Sequence, residues 1–235
     1  MSVWVAKRFW TTASAQPCDG GYTVRLDDRS VKTPAKAPLV VPTLALAQGI
    51  AAEWNAQIGV IKPATMPLTR AANSAIDKVA PLLDAVIDEL TSYGGTDLLC
   101  YRATHPQALI DRQADAWDPL VEWAATSLHA PLRVTQGVIP VDQPISSLAR
   151  LRGHVDGFDN FGLSGLHDLV AISGSLVLAL AVASGKLEAA TAFALSRVDN
   201  HWQAEAWGQD EEEAETEALR AAAFAQADRF LTLCR

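Results

Sequence analysis

Five places in this chain carry residue types that could do chemistry. They are Gly162-Leu163-Ser164-Gly165, Ser173-Gly174-Ser175, the pairs His154/Asp156 and His167/Asp168, and the acidic run Asp210-Glu211-Glu212-Glu213. Nucleophilic catalysis needs a Ser or Cys raised on a sharp turn beside a base, as in GxSxG. Around Ser164 the second glycine comes one residue early, and Ser173 to Ser175 lie in an apolar stretch that reads as helix packing. Neither supports a nucleophile. A metal site needs three or four ligands at fixed spacing, and two-residue His/Asp pairs do not supply them. There is no HEXXH motif, and Cys18, Cys100 and Cys234 lie far apart without a CxxC pair. An odd count of dispersed cysteines suits a reducing compartment better than a disulfide framework. The glycine loops that cradle phosphate, GxxxxGK[ST] and GxGxxG, are also absent, so no means of hydrolysing ATP is visible. The expectation is no catalytic residue, no metal and no cofactor.

The acidic run admits two accounts. Acids in the first turn of a helix favour the positive end of its dipole, and the same acids could form a face for a basic partner. His201, beside Trp202, reads as a polar position at the edge of a packed helix. Most of the seven tryptophans (Trp4, Trp10, Trp54, Trp117, Trp123, Trp202 and Trp207) are expected in the core. One or two are expected as half-exposed anchors, since tryptophan is enriched at interface hot spots.

The elements that would position these residues fall in two halves. The chain has 235 residues, 49% of them hydrophobic and 20% charged, which is enough for one large domain or two modest ones with a real core. Its net charge of -8 disfavours nucleic-acid backbones and anionic membranes, which select basic patches. The longest apolar stretch, Leu169 to Ala183, is interrupted by Ser173-Gly174-Ser175 and is shorter than the roughly 18 residues a membrane span needs. The N-terminus has no apolar core or cleavage site of a secretory signal.

Bulky residues from Val3 to Phe9, a turn at Asp19-Gly20-Gly21, alternation over Tyr22–Leu26, a turn at Asp27-Asp28 and the pieces Ser30–Lys32 and Leu39–Val41 predict a meander of short antiparallel strands. A helix capped by Thr43 follows, with Leu44, Leu46, Ile50, Ala51 and Trp54 on its apolar side and Glu53 and Gln57 on the wetter side. Helices are then predicted from Ala80-Pro81 to a stop at Gly94-Gly95, with Leu82, Leu83, Val86, Ile87 and Leu90 on one face, and from Pro106 to Leu128, kinked or broken at Pro119. Further helices are predicted over Ser146–Val155, Leu166–Ser184, Leu187–Trp207 and Glu211–Leu233. The fold class is therefore α+β, with a small N-terminal alpha/beta domain over residues 1–78 and a larger all-alpha helical bundle over residues 79–235.

Several segments in order resemble one family. They are KRFW at Lys7–Trp10, LDDRSVKTPAKAPLVVPTLALAQGIAAEWNAQ at Leu26–Gln57, PATMPLTRAANSAID, TDLLCYRA at Thr96–Ala103, DRQADAWDPLVEWA from Asp111, and AWGQDEEEAETEALRAAAF. Together they resemble the assembly chaperones of the F-type ATP synthase, in the branch that binds the alpha subunit of the catalytic head. The Leu-Asp-x-Arg-x-Val-Lys-Thr-Pro run followed by Glu-Trp carries most of the specificity. A Trp-Gly-x-x-Glu pattern fits Trp207, Gly208 and Glu211, and the acids after it depart from the family's eukaryotic form. The resemblance implies no catalysis and no cofactor. It implies an alpha-subunit client whose exposed surface would otherwise aggregate, and release by competition from the beta subunit. On that footing Asp210, Glu211, Glu212 and Trp207 are the expected partner-binding residues, and Trp54 and Gly208 the structural ones. Trp54 is expected to be mainly buried at the joint between the domains. The chain is expected to act as a monomer in the bacterial cytoplasm, with the mitochondrial matrix as the alternative. Two other functions stay open: a hydrolase using Asp210 or Glu211 as base, and a small-molecule-binding module with an interdomain pocket.

Overall fold

The computed structural model describes residues 7–208 and 210–235; the N-terminal bulky residues Val3 to Ala6, Trp4 among them, lie outside that range. Contacts divide the chain into two units. The first holds the described residues up to Leu83, Asn160–Gly165 and Arg229–Arg235, and the second holds Asp84–Asp159 and Leu166–Asp228. A single cut after residue 78 does not anticipate the two returning segments. They belong to the first unit because Phe161 and Phe230 are buried in its core with Trp10, Leu39, Leu46 and Ile50.

In the first unit, β1 (Ala13–Cys18) and β2 (Gly21–Leu26) form an antiparallel hairpin, with Ala13 opposite Leu26 and Cys18 opposite Gly21. Beside β2 lie β3 (Arg29–Ser30) and β4 (Val40–Val41), both antiparallel to it. Alternation along β2 buries Val24 and Leu26. Asp27 turns the chain at a φ of 49°, and its carboxylate accepts the Thr11 and Thr12 N–H groups. Those N–H bonds hold its pKa below the usual carboxylate range.

Helix α1 (Leu44–Asn55) starts where Thr43 Oγ1 accepts the Leu46 N–H at 3.1 Å. Its last turn does several jobs. Glu53 accepts the N–H groups of Leu68 and Thr69 at 2.7 and 2.8 Å, so it caps α2 (Pro67–Ser74). Asn55 bonds both the N–H and the C=O of Ala13, satisfying the edge of β1. Gln57, expected on the wet side, is buried; it accepts the Lys62 N–H and donates to Thr65. Trp54 is mostly buried against the first unit's core and packs edge-on against Trp10 at 5.1 Å. Arg8 stacks over Trp10 and donates to the Trp10, Asn55 and Gln57 carbonyls. The motif residues of this half thus close the sheet and seat its helices.

The second unit is helical apart from one parallel pair of short strands. Its helices are α3 (Leu83–Ser92, from Asp84 onward), α4 (Gln107–Ser127), α5 (Ile145–Val155), α6 (Asn160–Ser173, from Leu166 onward), α7 (Leu176–Ala183), α8 (Ala189–Ser196), α9 (Val198–Trp207) and α10 (Glu211–Leu233, to Asp228). Strand β5 (Tyr101–Arg102) pairs with β6 (Thr135–Gln136). Only Ile87 and Leu90 of the expected α3 face are buried, while Leu82 and Leu83 are exposed. Pro119 lies inside α4, which runs unbroken from Gln107 to Ser127.

Every residue of α7 is buried, as befits a helix that is apolar all round. The continuous helix expected over Leu166–Ser184 is in fact two, parted at Gly174. There the backbone takes a φ of +72°, a conformation glycine adopts without the Cβ clash other residues suffer. Ser175 then caps α7, accepting the Leu178 N–H at 3.0 Å and donating to Asp97 at 2.7 Å. Asp97, wholly buried, also accepts the N–H groups of Val177 and Leu99. Burial pushes its pKa up, while these donors pull it down. Burial likewise pushes the neighbouring Cys100 thiol up to about 12.

Asp97→Ala should therefore strip three donors of their acceptor and cost roughly 2–4 kcal/mol. Urea unfolding measures this. Cys100 should resist thiol reagents in the native protein and react in the variant at lower urea. Wild-type unfolding of the variant would show that this network does not hold α7.

Candidate functional site

The acidic run and Trp207 lie at the junction of α9 and α10, in the second unit. Helix α9 ends at Gly208, whose N–H bonds the Ala204 carbonyl at 2.9 Å and whose φ of +88° turns the chain out of the helix. Trp207, just before it, is 80% exposed. Asp210, Glu211, Glu212 and Glu213 are exposed around the start of α10, and none of them enters an ion pair among the described residues. Asp210, Glu212, Glu213 and Glu217 line a cleft of about 360 Å³ with Arg197, Asn200 and Arg220. Glu211 is exposed but does not line it.

What holds α9 is a set of bonds to α4. Gln113, 1% exposed, donates from Nε2 to Asp199 Oδ1 at 2.6 Å and accepts the Ala103 N–H at 2.7 Å. Arg112 makes a two-pronged pair with Glu205, at 2.8 and 2.9 Å, and its guanidinium lies 5.6 Å from the Trp202 ring. Trp117 donates to the Leu195 carbonyl at 2.8 Å, fixing the end of α8. On another side of α9, His201 Nε2 lies 2.7 Å from Glu217 Oε1, consistent with a packed polar position.

These bonds set α9 beside a second, larger hollow of about 720 Å³. Asp199, Trp202, Gln203 and Ala206 line one side of it, spaced i, i+3, i+4 and i+7 along one helix face. Opposite are Tyr101–Pro106, Leu109, Gln113, Gly137 and Val138. Arg102 also lines it; the guanidinium is committed to Asp118 at 2.8 Å and lies over the Trp117 ring. Arg112, Gln113, Leu109 and Val138 did not emerge as site residues from sequence. The helical stripe 199–206 was the available signal, masked because the acids after it draw attention first.

Among the described residues no three His, Cys, Asp or Glu side chains are grouped to hold a metal ion. His167 lies 3.3 Å from Asp168, and that hydrogen bond raises its pKa. No helix among the described residues is long and apolar enough to cross a membrane.

Gln113→Leu should unpair the Ala103 N–H and Asp199, cost about 1–3 kcal/mol, and speed amide exchange along α9. The Arg112–Glu205 pair carries a pH signature. The hydrogen bond from Arg112 holds Glu205 below its ordinary value of 4.5. The pair's contribution is therefore full above that value and is lost as pH falls through the depressed folded value. The stability difference between the protein and Arg112→Ala should be present at neutral pH and shrink in acid. A difference that stays constant with pH would show that the pair contributes no such linkage.

Comparison with known proteins places this architecture. A family model described as ATP12 chaperone protein matches residues 7–125. Protein atp12, mitochondrial, of Schizosaccharomyces pombe is 25% identical over 231 residues, covering 91% of this chain and 78% of that protein. The crystal structure of Atp12 from Paracoccus denitrificans is 55% identical, covers 98% of this chain and 99% of that one, and superposes with a TM-score of 0.95. The Atu1473 protein of Agrobacterium tumefaciens is 39% identical over 98% of this chain and 87% of that one, with a TM-score of 0.94. The chain belongs to the ATP12 chaperone family.

Proposed function

We propose that this chaperone binds the alpha subunit of the ATP synthase catalytic head without ATP, and keeps it from aggregating until the beta subunit takes its place. The observation that carries the surface assignment is the end of α9. There an exposed Trp207 adjoins four acids free of intramolecular ion pairs among the described residues. An exposed aromatic beside acids outside any ion pair suits a partner with an apolar patch and basic rim. Mass action then does the protective work, because a client whose apolar patch is covered is withdrawn from self-association. Release follows when a competing surface, that of the beta subunit, binds the same client face more tightly. Asp210, Glu211, Glu212 and Trp207 are the contacting residues in this account, and Gly208 sets the angle at which Trp207 is presented. The chain acts as a monomer in it, and the nearness of the bacterial relatives favours the bacterial cytoplasm over the mitochondrial matrix.

The purified chain should suppress aggregation of isolated alpha subunit in nucleotide-free buffer, as followed by light scattering. Glu211→Gln and Glu212→Gln should melt normally and bind the alpha subunit about two- to fivefold more weakly at low salt, with the deficit fading as salt rises. Protection that needs hydrolysable ATP would contradict the mechanism. Unchanged binding by both variants at both salts would reduce the acids to a solvated helix start.

A further inference from the structure

We infer that the 720 Å³ hollow beside α9 is a preformed docking groove for an extended segment of client polypeptide. The segment would seat a large aliphatic or aromatic side chain in the groove and carry a Lys or Arg close by. This rests on the chaperone reading above and extends it from the acidic helix start to a second, apolar surface. Val138 is 91% exposed, Ile139 beside it 77%, and Trp207 80%, so water meets large apolar groups at the groove's mouth. Such patches on a soluble protein mark sites that a partner covers.

The groove is built, not incidental. Gln113 fixes its floor through bonds in both directions. The loop carrying Val138 and Ile139 is cinched at its base, where Gln143 both accepts the Arg133 N–H and donates to the Arg133 carbonyl, at 2.8 and 2.9 Å. Gly137 ties the same loop to the Arg102 carbonyl at 2.8 Å. A surface already ordered loses little entropy on binding.

Its polar groups are spent only in part, since the Tyr101 hydroxyl and Arg102 Nη2 are buried without a hydrogen-bond partner among the described residues. Gln113 uses both ends, and Arg102 is buried and paired with Asp118. An anionic metabolite therefore meets no exposed, unpaired arginine or lysine in the lining, and selection falls to the apolar walls of Leu109, Val138, Trp202 and Trp207. The charge at one end chooses the flank: the acids begin at Asp210, three residues beyond Trp207. A second copy of the chain would bring a second net charge of -8 to this face, whereas a basic-flanked segment would be drawn to it.

The test uses short fluorescent peptides, each with a central Leu or Phe flanked by Lys, by Glu, or by Lys with the central residue changed to Ser. Binding is read by anisotropy against the full chain. Lys-flanked Leu and Phe peptides should bind best, and Trp207→Ser and Val138→Ser should each weaken them about tenfold. Leu219→Ser, at a residue 66% exposed on α10 that does not line the groove, should change nothing. The inference is overturned if the wild type binds none of these peptides, if the groove variants bind like wild type, or if Leu219→Ser weakens binding equally. Sedimentation showing a dimer that Val138→Ser dissociates would assign the groove to a second copy and also overturn it. If peptides bind as expected but the alpha subunit is not protected, the chaperone assignment fails and the groove stands. Alpha-subunit protection undiminished by both groove variants overturns the groove alone.

Discussion

The second unit's candidate surface depends on one buried side chain. Gln113 has an acceptor and a donor at opposite ends of its amide, and the fold uses each once. One holds the Ala103 N–H where the chain leaves β5, and the other holds Asp199 in the first turn of α9. A buried amide that lost either partner would leave a polar group unpaired at a cost comparable to a hydrogen bond or more. The strand end, helix α4 and helix α9 are thereby held in one arrangement. Arg112 and Trp117, one helical position before Gln113 and four after it, extend the attachment to Glu205 and to the end of α8. Everything proposed for this surface, including the exposure of Trp207 and the acids beyond it, presumes an α9 that does not drift.

The two halves of the chain spend their distinctive residues differently. The motif stretch from Leu26 to Gln57, which carries most of the family likeness, is occupied with structure: Asp27 pins the segment before β1, Glu53 caps α2, and Asn55 completes a sheet edge. Thr33, in the same stretch, is buried and donates to Asp77 at 2.6 Å. Polar residues with all partners inside the chain have little left to offer a client. At the junction of α9 and α10 the balance reverses, with Trp207 facing water and Asp210, Glu211, Glu212 and Glu213 outside any ion pair among the described residues. A chaperone that binds without consuming energy needs such a division, since its client face must stay unsatisfied while the rest of the molecule sustains the fold.

The sequence made the regular parts legible for reasons that can be named. Thr43 is a good cap and does cap α1, and α10 runs over the predicted Glu211–Leu233 because acids open it and no breaker interrupts. The antiparallel strands appear where Asp19-Gly20 and Asp27 permit turns. The breaks were harder. Ser173-Gly174-Ser175 sits in so apolar a stretch that hydrophobicity hides the cap, and the partner that gives Ser175 its role, Asp97, is distant in sequence. The parting of α8 from α9 at Arg197 has neither Gly nor Pro to announce it. The acids and Trp207 could be picked out as residues, but the groove could not. Leu109, Val138 and Trp202 come from separate segments, and only folding makes them neighbours.

On the proposed reading the client is held, without nucleotide, by the surface around α9 and the start of α10. Hydrogen–deuterium exchange on the chain alone and with isolated alpha subunit, in nucleotide-free buffer, tests it most directly. Protection should appear in peptides covering Asp199–Glu217 and the loop around Val138, and little in the strands of the first unit. Protection confined to those strands, or arising only when ATP is added, would contradict the account.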